Sequence, residues 1–271
     1  PSTMYISYGV FGWADAGIIL PYYLYSMYGD STVITDNWDA MQKYMDVYMK
    51  ETCRAGVDPA DAGDWLAYES NYEAVKWMLS VCYYAWDALM MSEMAQAIGR
   101  PDDAAKYRQV YEEEKAYFQS QFVNTDGTLK REEQSVCLYA LFVDMLPDEA
   151  SAKAVENQLI SNIERNGNKL QTGFLGTEVI LHTLTKIGRS DVAYKVLLQH
   201  GNPSWLFSVD QGATTIWERW NSYTLADGFG DVGMNSFNHY SYGSVASWMF
   251  RGMAGIGYDV EKPGFQHILL N

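Results

Sequence analysis

Residues 71–98, NYEAVKWMLSVCYYAWDALMMSEMAQAI, decide the fold class because they run without glycine or proline and stop at Gly99-Arg100-Pro101. A long uninterrupted run that ends at a glycine and a proline is typical of an α-helix. Residues 33–50 have the same period of apolar residues. Their predicted apolar face consists of Val33, Trp38, Met41, Met45 and Tyr48. The first hundred residues therefore predict an all-α chain.

Further helices are expected along the rest of the chain, most of them ending at a glycine, asparagine or proline. Their predicted ranges are 102–122, 132–146, 148–165, about 175–187, 190–199 and about 240–254. Counted from residue 14, the chain holds about nine or ten helices joined mostly by short connections, so successive helices should be antiparallel neighbours. Helix hairpins without an exact sequence repeat favour an incomplete (α/α)6 barrel, with about ten of twelve helices and long loops at one end.

The end of the chain has a different pattern. Residues 261–265 read as a turn and residues 266–270 as a strand, and nothing follows that could pair with this strand. We therefore expect residues 1–258 to form the partial barrel. Residues 259–271 are predicted to be a linker and the first strand of a truncated C-terminal β-domain.

The composition excludes several classes of protein. With 34 acidic against 19 basic residues the net charge is −15, which disfavours nucleic acid as a partner. No apolar run has the roughly 20 residues that span a bilayer. The three cysteines share no metal-ligand or disulfide spacing and are expected to be neutral buried thiols, so neither a metal nor a cofactor is expected. The 21 tyrosines and 9 tryptophans suit carbohydrate, because sugar rings stack on aromatic planes.

The region 200–238 is rich in glycine, asparagine, serine and tryptophan, and it predicts long loops with one embedded helix. Glu218 stands between Trp217 and Trp220, where a carboxylate beside aromatic walls suits acid–base work. A structural ion pair between Glu218 and Arg219 is the alternative. His239, at the start of the last helix, either has a structural role or contacts a ligand.

Two other loops combine glycine, aspartate and tryptophan, namely Gly12-Trp13-Ala14-Asp15-Ala16 and Gly63-Asp64-Trp65-Leu66. Each can be an ordinary turn with an apolar anchor. The recurrence of the combination favours a sugar site, since glycoside hydrolysis needs carboxyl groups and a pocket that grips the sugar.

Five segments closely resemble the catalytic domain of bacterial α-L-rhamnosidases, glycoside hydrolase family 78, and the similarity runs in order from about residue 9 to 268. The two long segments are PSWLFSVDQGATTIWERW at 203–220 and SFNHYSYGSV at 236–245. The short ones are TGFLGT at 172–177, GWADA at 12–16 and GDWL at 63–66.

The resemblance implies an (α/α)6 barrel that removes terminal α-L-rhamnose from oligosaccharides, polysaccharides or plant glycosides with inversion of configuration. It makes Glu218 the general base and places His239 against the sugar. It also implies that Trp13 and Trp65 line the rhamnose pocket, where they suit its C6 methyl group. Asp15 and Trp220 are carried over as further pocket residues.

One departure from the family concerns the general acid, which lies in a motif upstream of the Gly-Trp segment and is not found in this chain. We therefore expect the chain to hold the base without the acid and to be inactive or nearly inactive alone. Two alternatives stay open. One is another inverting (α/α)6 glycosidase that acts on a different sugar, and the other is a barrel that binds carbohydrate without cleaving it.

Overall fold

A computed structural model describes residues 11–53, 63–68 and 72–270. These residues hold eleven α-helical segments, which are α1 (Ala16–Tyr28), α2 (Thr32–Lys43), α3 (Lys50–Thr52), α4 (Tyr72–Ala97), α5 (Pro101–Phe122), α6 (Gln134–Phe142), α7 (Glu149–Arg165), α8 (Phe174–Lys186), α9 (Ser190–Leu197), α10 (Trp205–Asp210) and α11 (Val245–Trp248). A π-helical turn, Tyr44–Met49, joins α2 to α3. Turns at Ser241–Ser244 and Met249–Met253 extend α11 in both directions. The predicted helices are thus present with small changes at their ends, and α10 is the helix expected within 200–238.

Two short antiparallel hairpins complete the described elements. Strand β1 (Tyr223–Thr224) pairs with β2 (Gly228–Phe229), and β3 (Ile256–Tyr258) pairs with β4 (Ile268–Leu270). The strand expected near the C-terminus therefore has a partner, which lies before it in the chain. Sequence reasoning missed β3 because its apolar residues are flanked and interrupted by Gly255 and Gly257, which hide the alternation of a strand.

The chain divides into two compact units. The first consists of Pro1–Gly63, Lys76–Val123 and Gly255–Asn271, and the second of Asp64–Val75 and Asn124–Ala254. Residues 259–270, predicted as a linker and a separate strand, thus belong to the first unit together with β3. The proposed β-domain beyond them stays a prediction.

The core of the first unit includes the buried face of α2 and the π turn after it. Its buried residues are Ile34, Trp38, Met41, Met45 and Met49, at spacings of three and four. Val33 and Tyr48, predicted for this face, lie at its half-buried edges because the stripe is centred one position further along the chain. Trp38 packs edge-on against Tyr107 of α5, with ring centroids 6.3 Å apart.

The second unit is built around α6, which packs against α7 and α8. Every residue from Gln134 to Leu141 is buried, so this helix has no exposed face and its sequence is apolar all round. Its one large polar side chain, Gln134, donates to Asn162 of α7 at 3.1 Å. The three cysteines are buried, as predicted, and no disulfide joins any two of them. Among the described residues, no helix combines the length and apolar character needed to cross a bilayer.

Candidate active site

Glu218 is held in the loop region of the second unit by a reciprocal pair of bonds to Ser236. The Ser236 N–H donates to Glu218 Oε2 at 2.7 Å, and the Glu218 N–H donates to the Ser236 carbonyl at 2.9 Å. The side chain is half-buried. Its other oxygen, Oε1, accepts no hydrogen bond from the part of the chain that the structure describes.

Arg219 has partners of its own. Its Nε donates to the Met234 carbonyl at 3.0 Å, and its backbone N–H donates to Ser222 Oγ at 3.1 Å. Since Glu218 and Arg219 bond to different backbone groups, the geometry disfavours the structural ion pair considered from the sequence. The two loops 217–222 and 234–239 are instead tied together by these bonds.

An open cleft of about 740 Å³ lies within the second unit. This volume is in the range of small-molecule sites. Of the described residues, Arg219 and Trp220 line the cleft, whereas the preceding Glu218 and also His239 do not. Its lining includes the aromatic residues Trp65, Tyr68, Trp220 and Tyr242, and the charged residues Arg219 and Asp231. The cleft therefore combines aromatic faces with a few polar groups, which is the composition expected of a sugar site.

Trp220 forms the best-packed wall of this cleft. It stacks on Tyr242 with centroids 3.8 Å apart and planes 14° from parallel, and it meets Trp205 edge-on at 5.3 Å. Trp205 in turn donates its Nε1–H to the Tyr242 carbonyl at 2.9 Å. Burial raises the pKa of Tyr242, so this phenol stays neutral. The three rings fix one another and give the cleft a rigid side.

His239 lies at the other end of the same loop cluster. Its backbone N–H donates to the Ile216 carbonyl at 2.9 Å. The centroid of its imidazole ring lies 5.0 Å from that of the ring of Phe174, the first residue of α8. The same phenylalanine meets Tyr242 edge-on at 5.3 Å. Phe174 therefore connects His239 with the stacked pair that lines the cleft.

Trp65 is half-buried and lines the cleft from the loop before α4. Its carbonyl accepts the Phe174 N–H at 2.9 Å. The preceding residue, Asp64, is fully buried against the N-terminus of α8. The loop that carries Trp65 is thus attached to the helix that carries Phe174.

The remaining two predicted site residues lie in the first unit. Trp13 is 40% exposed, while the Asp15 side chain is completely buried. Asp15 accepts the Gly12 N–H and the Tyr44 hydroxyl, the latter at 3.0 Å. It also interacts with Asp87 of α4, and burial raises the pKa of both carboxyls, that of Asp87 further through repulsion from Asp15.

Sequence reasoning missed four residues that shape these loops, namely Asp64, Asp87, Phe174 and Tyr242. Asp64 and Phe174 lie inside segments singled out by sequence, and Tyr242 lies two residues after Tyr240 in a third. Asp87 left a weaker signal, a single acid within the apolar run of α4. Among the described residues, no three His, Cys, Asp or Glu side chains are grouped to hold a metal ion.

Comparison with known proteins identifies the family of the chain. The family model for the bacterial alpha-L-rhamnosidase 6 hairpin glycosidase domain matches residues 1–253. The chain is 39% identical over 271 residues to an alpha-L-rhamnosidase of Streptomyces avermitilis, covering all of this chain and 26% of that protein. It is 32% identical over 281 residues to one from an Alteromonas species, covering all of this chain and 30% of that protein.

Solved structures give the same result. A Streptomyces avermitilis alpha-L-rhamnosidase in complex with L-rhamnose superposes with a TM-score of 0.87 at 37% identity, over 97% of this chain and 25% of that one. The enzyme of Aspergillus terreus gives 0.83 at 30% identity, over 90% of this chain and 29% of that one. The chain thus spans between a quarter and a third of the length of these relatives. The predicted all-α, (α/α)6 class is confirmed, and the chain belongs to the six-hairpin glycosidase domain family of the bacterial α-L-rhamnosidases.

Proposed function

We propose that this chain contributes the general base and part of the sugar pocket to an enzyme that removes terminal α-L-rhamnose from glycosides with inversion. Its substrates would be rhamnose-containing oligosaccharides, polysaccharides or plant glycosides. Family membership and the L-rhamnose bound by the Streptomyces relative support the substrate class.

The observation that carries the proposal is the way in which Glu218 is anchored. One carboxylate oxygen is fixed by the Ser236 N–H, while the other accepts no bond from the described residues. A general base must be held in orientation and still keep a lone pair for the water that it activates. Glu218 meets both needs, and the residues that follow it, Arg219 and Trp220, line a cleft with aromatic walls.

The other predicted residues have supporting parts in this proposal. Trp65 supplies an apolar face for the sugar ring and its C6 methyl group, and His239 supplies a hydrogen-bonding nitrogen. Trp220, only 3% exposed and stacked on Tyr242, shapes the wall of the cleft. Trp13 presents an exposed ring in its own unit. Asp15 is too deeply buried to touch a sugar, so it would act on the Trp13 loop through the Gly12 N–H.

The general acid would come from residues outside these 271. An inverting enzyme needs the acid on the leaving oxygen and the base on a water, with the two carboxyls roughly 6.5–9.5 Å apart. We therefore expect the 271-residue chain alone to hydrolyse nitrophenyl α-L-rhamnoside slowly or not at all. Robust turnover by this chain alone would contradict the split of acid and base.

The direct test is Glu218→Gln in the full-length protein. We expect kcat for nitrophenyl α-L-rhamnoside to fall by about 10²–10⁴, with rhamnose binding retained, because the amide keeps the shape but cannot take a proton. Glu149→Gln, at an exposed carboxylate of α7, is the control and should leave kcat unchanged. Wild-type rates in Glu218→Gln would remove Glu218 from the base role.

The stereochemical course and the sugar need a second experiment. Proton NMR of the first product should show β-L-rhamnose, the inverted anomer, before mutarotation. A panel of nitrophenyl glycosides then separates the alternatives. Turnover of a different sugar would indicate another inverting glycosidase, and binding without any turnover would indicate a carbohydrate-binding barrel.

A further inference from the structure

We propose that Asp64 is a positioning residue, which sets the places of both Trp65 and His239 by holding the N-terminus of α8. The inference rests on the proposed function for what these two side chains bind. It assigns a role to Asp64 and to the segment Thr172–Thr177, which the proposed chemistry itself does not use.

The Asp64 carboxylate is saturated with donors. Its Oδ2 accepts the Gly173 N–H at 2.8 Å and the Ser135 hydroxyl, and its Oδ1 accepts the N–H groups of Leu175 at 2.8 Å and Gly176 at 3.2 Å. The first N–H groups of a helix have no partners within the helix, and its dipole favours a negative charge there. Burial raises the pKa of Asp64, and these four bonds oppose the rise. A carboxylate is therefore well matched to this position.

Gly173 and Gly176 allow the loop that carries Asp64 to lie close to the N-terminus of α8. A Cβ on Gly173 would lie 2.7 Å from the Asp64 carbonyl carbon and would overlap the carbonyl oxygens of Asp64 and Trp65. A Cβ on Gly176 would lie 2.9 Å from Asp64 Oδ2 and 2.6 Å from the Thr172 methyl group. Backbone and carboxylate thus meet the helix end at a distance that only glycine permits.

Phe174 carries this restraint to both sides of the site. Its N–H, between those that Asp64 binds, donates to the Trp65 carbonyl at 2.9 Å, and its ring lies 5.0 Å from the His239 ring. A shift of the helix end would therefore move the Trp65 loop and the surface on which His239 rests. One buried carboxylate orients two of the proposed sugar contacts.

If Asp64 only capped α8, its replacement would lower the stability of the protein, and any effect on catalysis would be independent of Trp65. A double-mutant cycle between Asp64→Asn and Trp65→Ala separates the two cases, because residues that act through one another are not additive. The asparagine keeps the size of the side chain. However, it replaces one acceptor oxygen with an NH₂ group that faces backbone donors.

The cycle is measured as kcat/KM for nitrophenyl α-L-rhamnoside, with the full-length protein at a temperature where each variant is folded. We expect each single variant to lose about 30-fold, and the double variant to lose clearly less than the product of the two losses, because only the share of the effect that passes through His239 remains in Trp65→Ala. Losses that multiply would overturn the proposal. Ser135→Ala, which removes one of the four donors, should show a smaller loss with the same non-additivity, and it serves if Asp64→Asn fails to fold.

A spectroscopic measurement makes the proposal independent of the activity. The difference between the near-ultraviolet circular dichroism of the wild type and of Trp65→Phe isolates the contribution of Trp65. Ser135→Ala and Asp64→Asn should weaken that contribution, and an unchanged contribution would overturn the positioning role. If Trp65→Ala leaves rhamnoside hydrolysis unchanged, the proposed function of Trp65 fails, and the dichroism alone then decides the role of Asp64.

Discussion

The loop that carries Trp13 and the loop that carries Trp65 are built from the same residue types, a glycine, a tryptophan and an aspartate that is completely buried. Their aspartates meet opposite surroundings. Asp64 receives four hydrogen bonds, of which two come from backbone N–H groups of α8 and one from that of Gly173, just before the helix. Asp15 receives the Gly12 N–H and the Tyr44 hydroxyl and also faces a second carboxyl, that of Asp87.

A buried aspartate beside a tryptophan can thus hold a loop by two different means. Asp64 accepts four hydrogen bonds at a helix N-terminus, so its grip depends on geometry and on the close approach of glycine. Asp15 and Asp87 repel one another when both are ionised, and burial and this repulsion raise the pKa of Asp87, so their grip depends on pH. The stability of the loop that carries Trp13 should therefore depend on pH. The stability of the loop that carries Trp65 should depend on the volume of the side chains that approach it.

The largest effect is expected from Gly173→Ala in the second loop. The added methyl group would overlap backbone carbonyls that cannot rotate away, so we expect a loss of about 3 kcal/mol or more in the free energy of unfolding, measured in urea. Gly17→Ala in α1 is the matched control, because a Cβ there meets nothing within 4 Å. It should be neutral or stabilise by up to about 1 kcal/mol. Equal effects of the two variants would show that close approach at Gly173 does not hold the loop that carries Trp65.

An intermediate effect is expected from Asp87→Asn in the first unit. A carboxyl whose pKa is raised in the folded state stabilises at low pH, and this contribution is lost as the pH rises through the folded-state pKa. The wild type should therefore lose stability above about pH 4, by at most about 1.4 kcal/mol per pH unit for each proton released. Asparagine cannot ionise, so it should flatten this decline and be more stable than the wild type at pH 8.

The measurement is urea unfolding at pH 5 and pH 8. Asp36→Asn, on the exposed face of α2, is the control and should keep the slope of the wild type. An Asp87→Asn variant with the same decline as the wild type would show that the pair does not make the first loop sensitive to pH.

The smallest effect is expected from Tyr44→Phe. It removes the 3.0 Å hydrogen bond to Asp15 but retains the ring that stacks on Tyr48 at 5.4 Å, so about 1–2 kcal/mol should be lost. Thermal unfolding compared with Tyr28→Phe, at an exposed tyrosine, gives the difference. A loss as large as that of Gly173→Ala would mean that the two loops are held with similar strength.

The helices and the segments of the candidate site could be predicted from the sequence. Uninterrupted apolar periods, ended by glycine or proline, are local signals, and they located α4, α5, α7 and α8 to within a few residues. The segments around Trp65, Glu218 and His239 could also be found from the sequence, since their residue types match those of a known family. The sequence of these segments does not indicate which side chains contact one another in the folded chain.

Only the tertiary structure decided how these residues are held. Ser236 lies 18 residues from Glu218, and the helix end that binds Asp64 lies more than 100 residues from it, so neither bond follows from spacing. The sequence also could not tell Asp64 from Asp15, because folding places backbone N–H donors around the first carboxyl and a second carboxyl beside the other. β3 was missed because Gly255 and Gly257 hide its alternation, so that only its pairing with β4 in the folded chain identifies it as a strand.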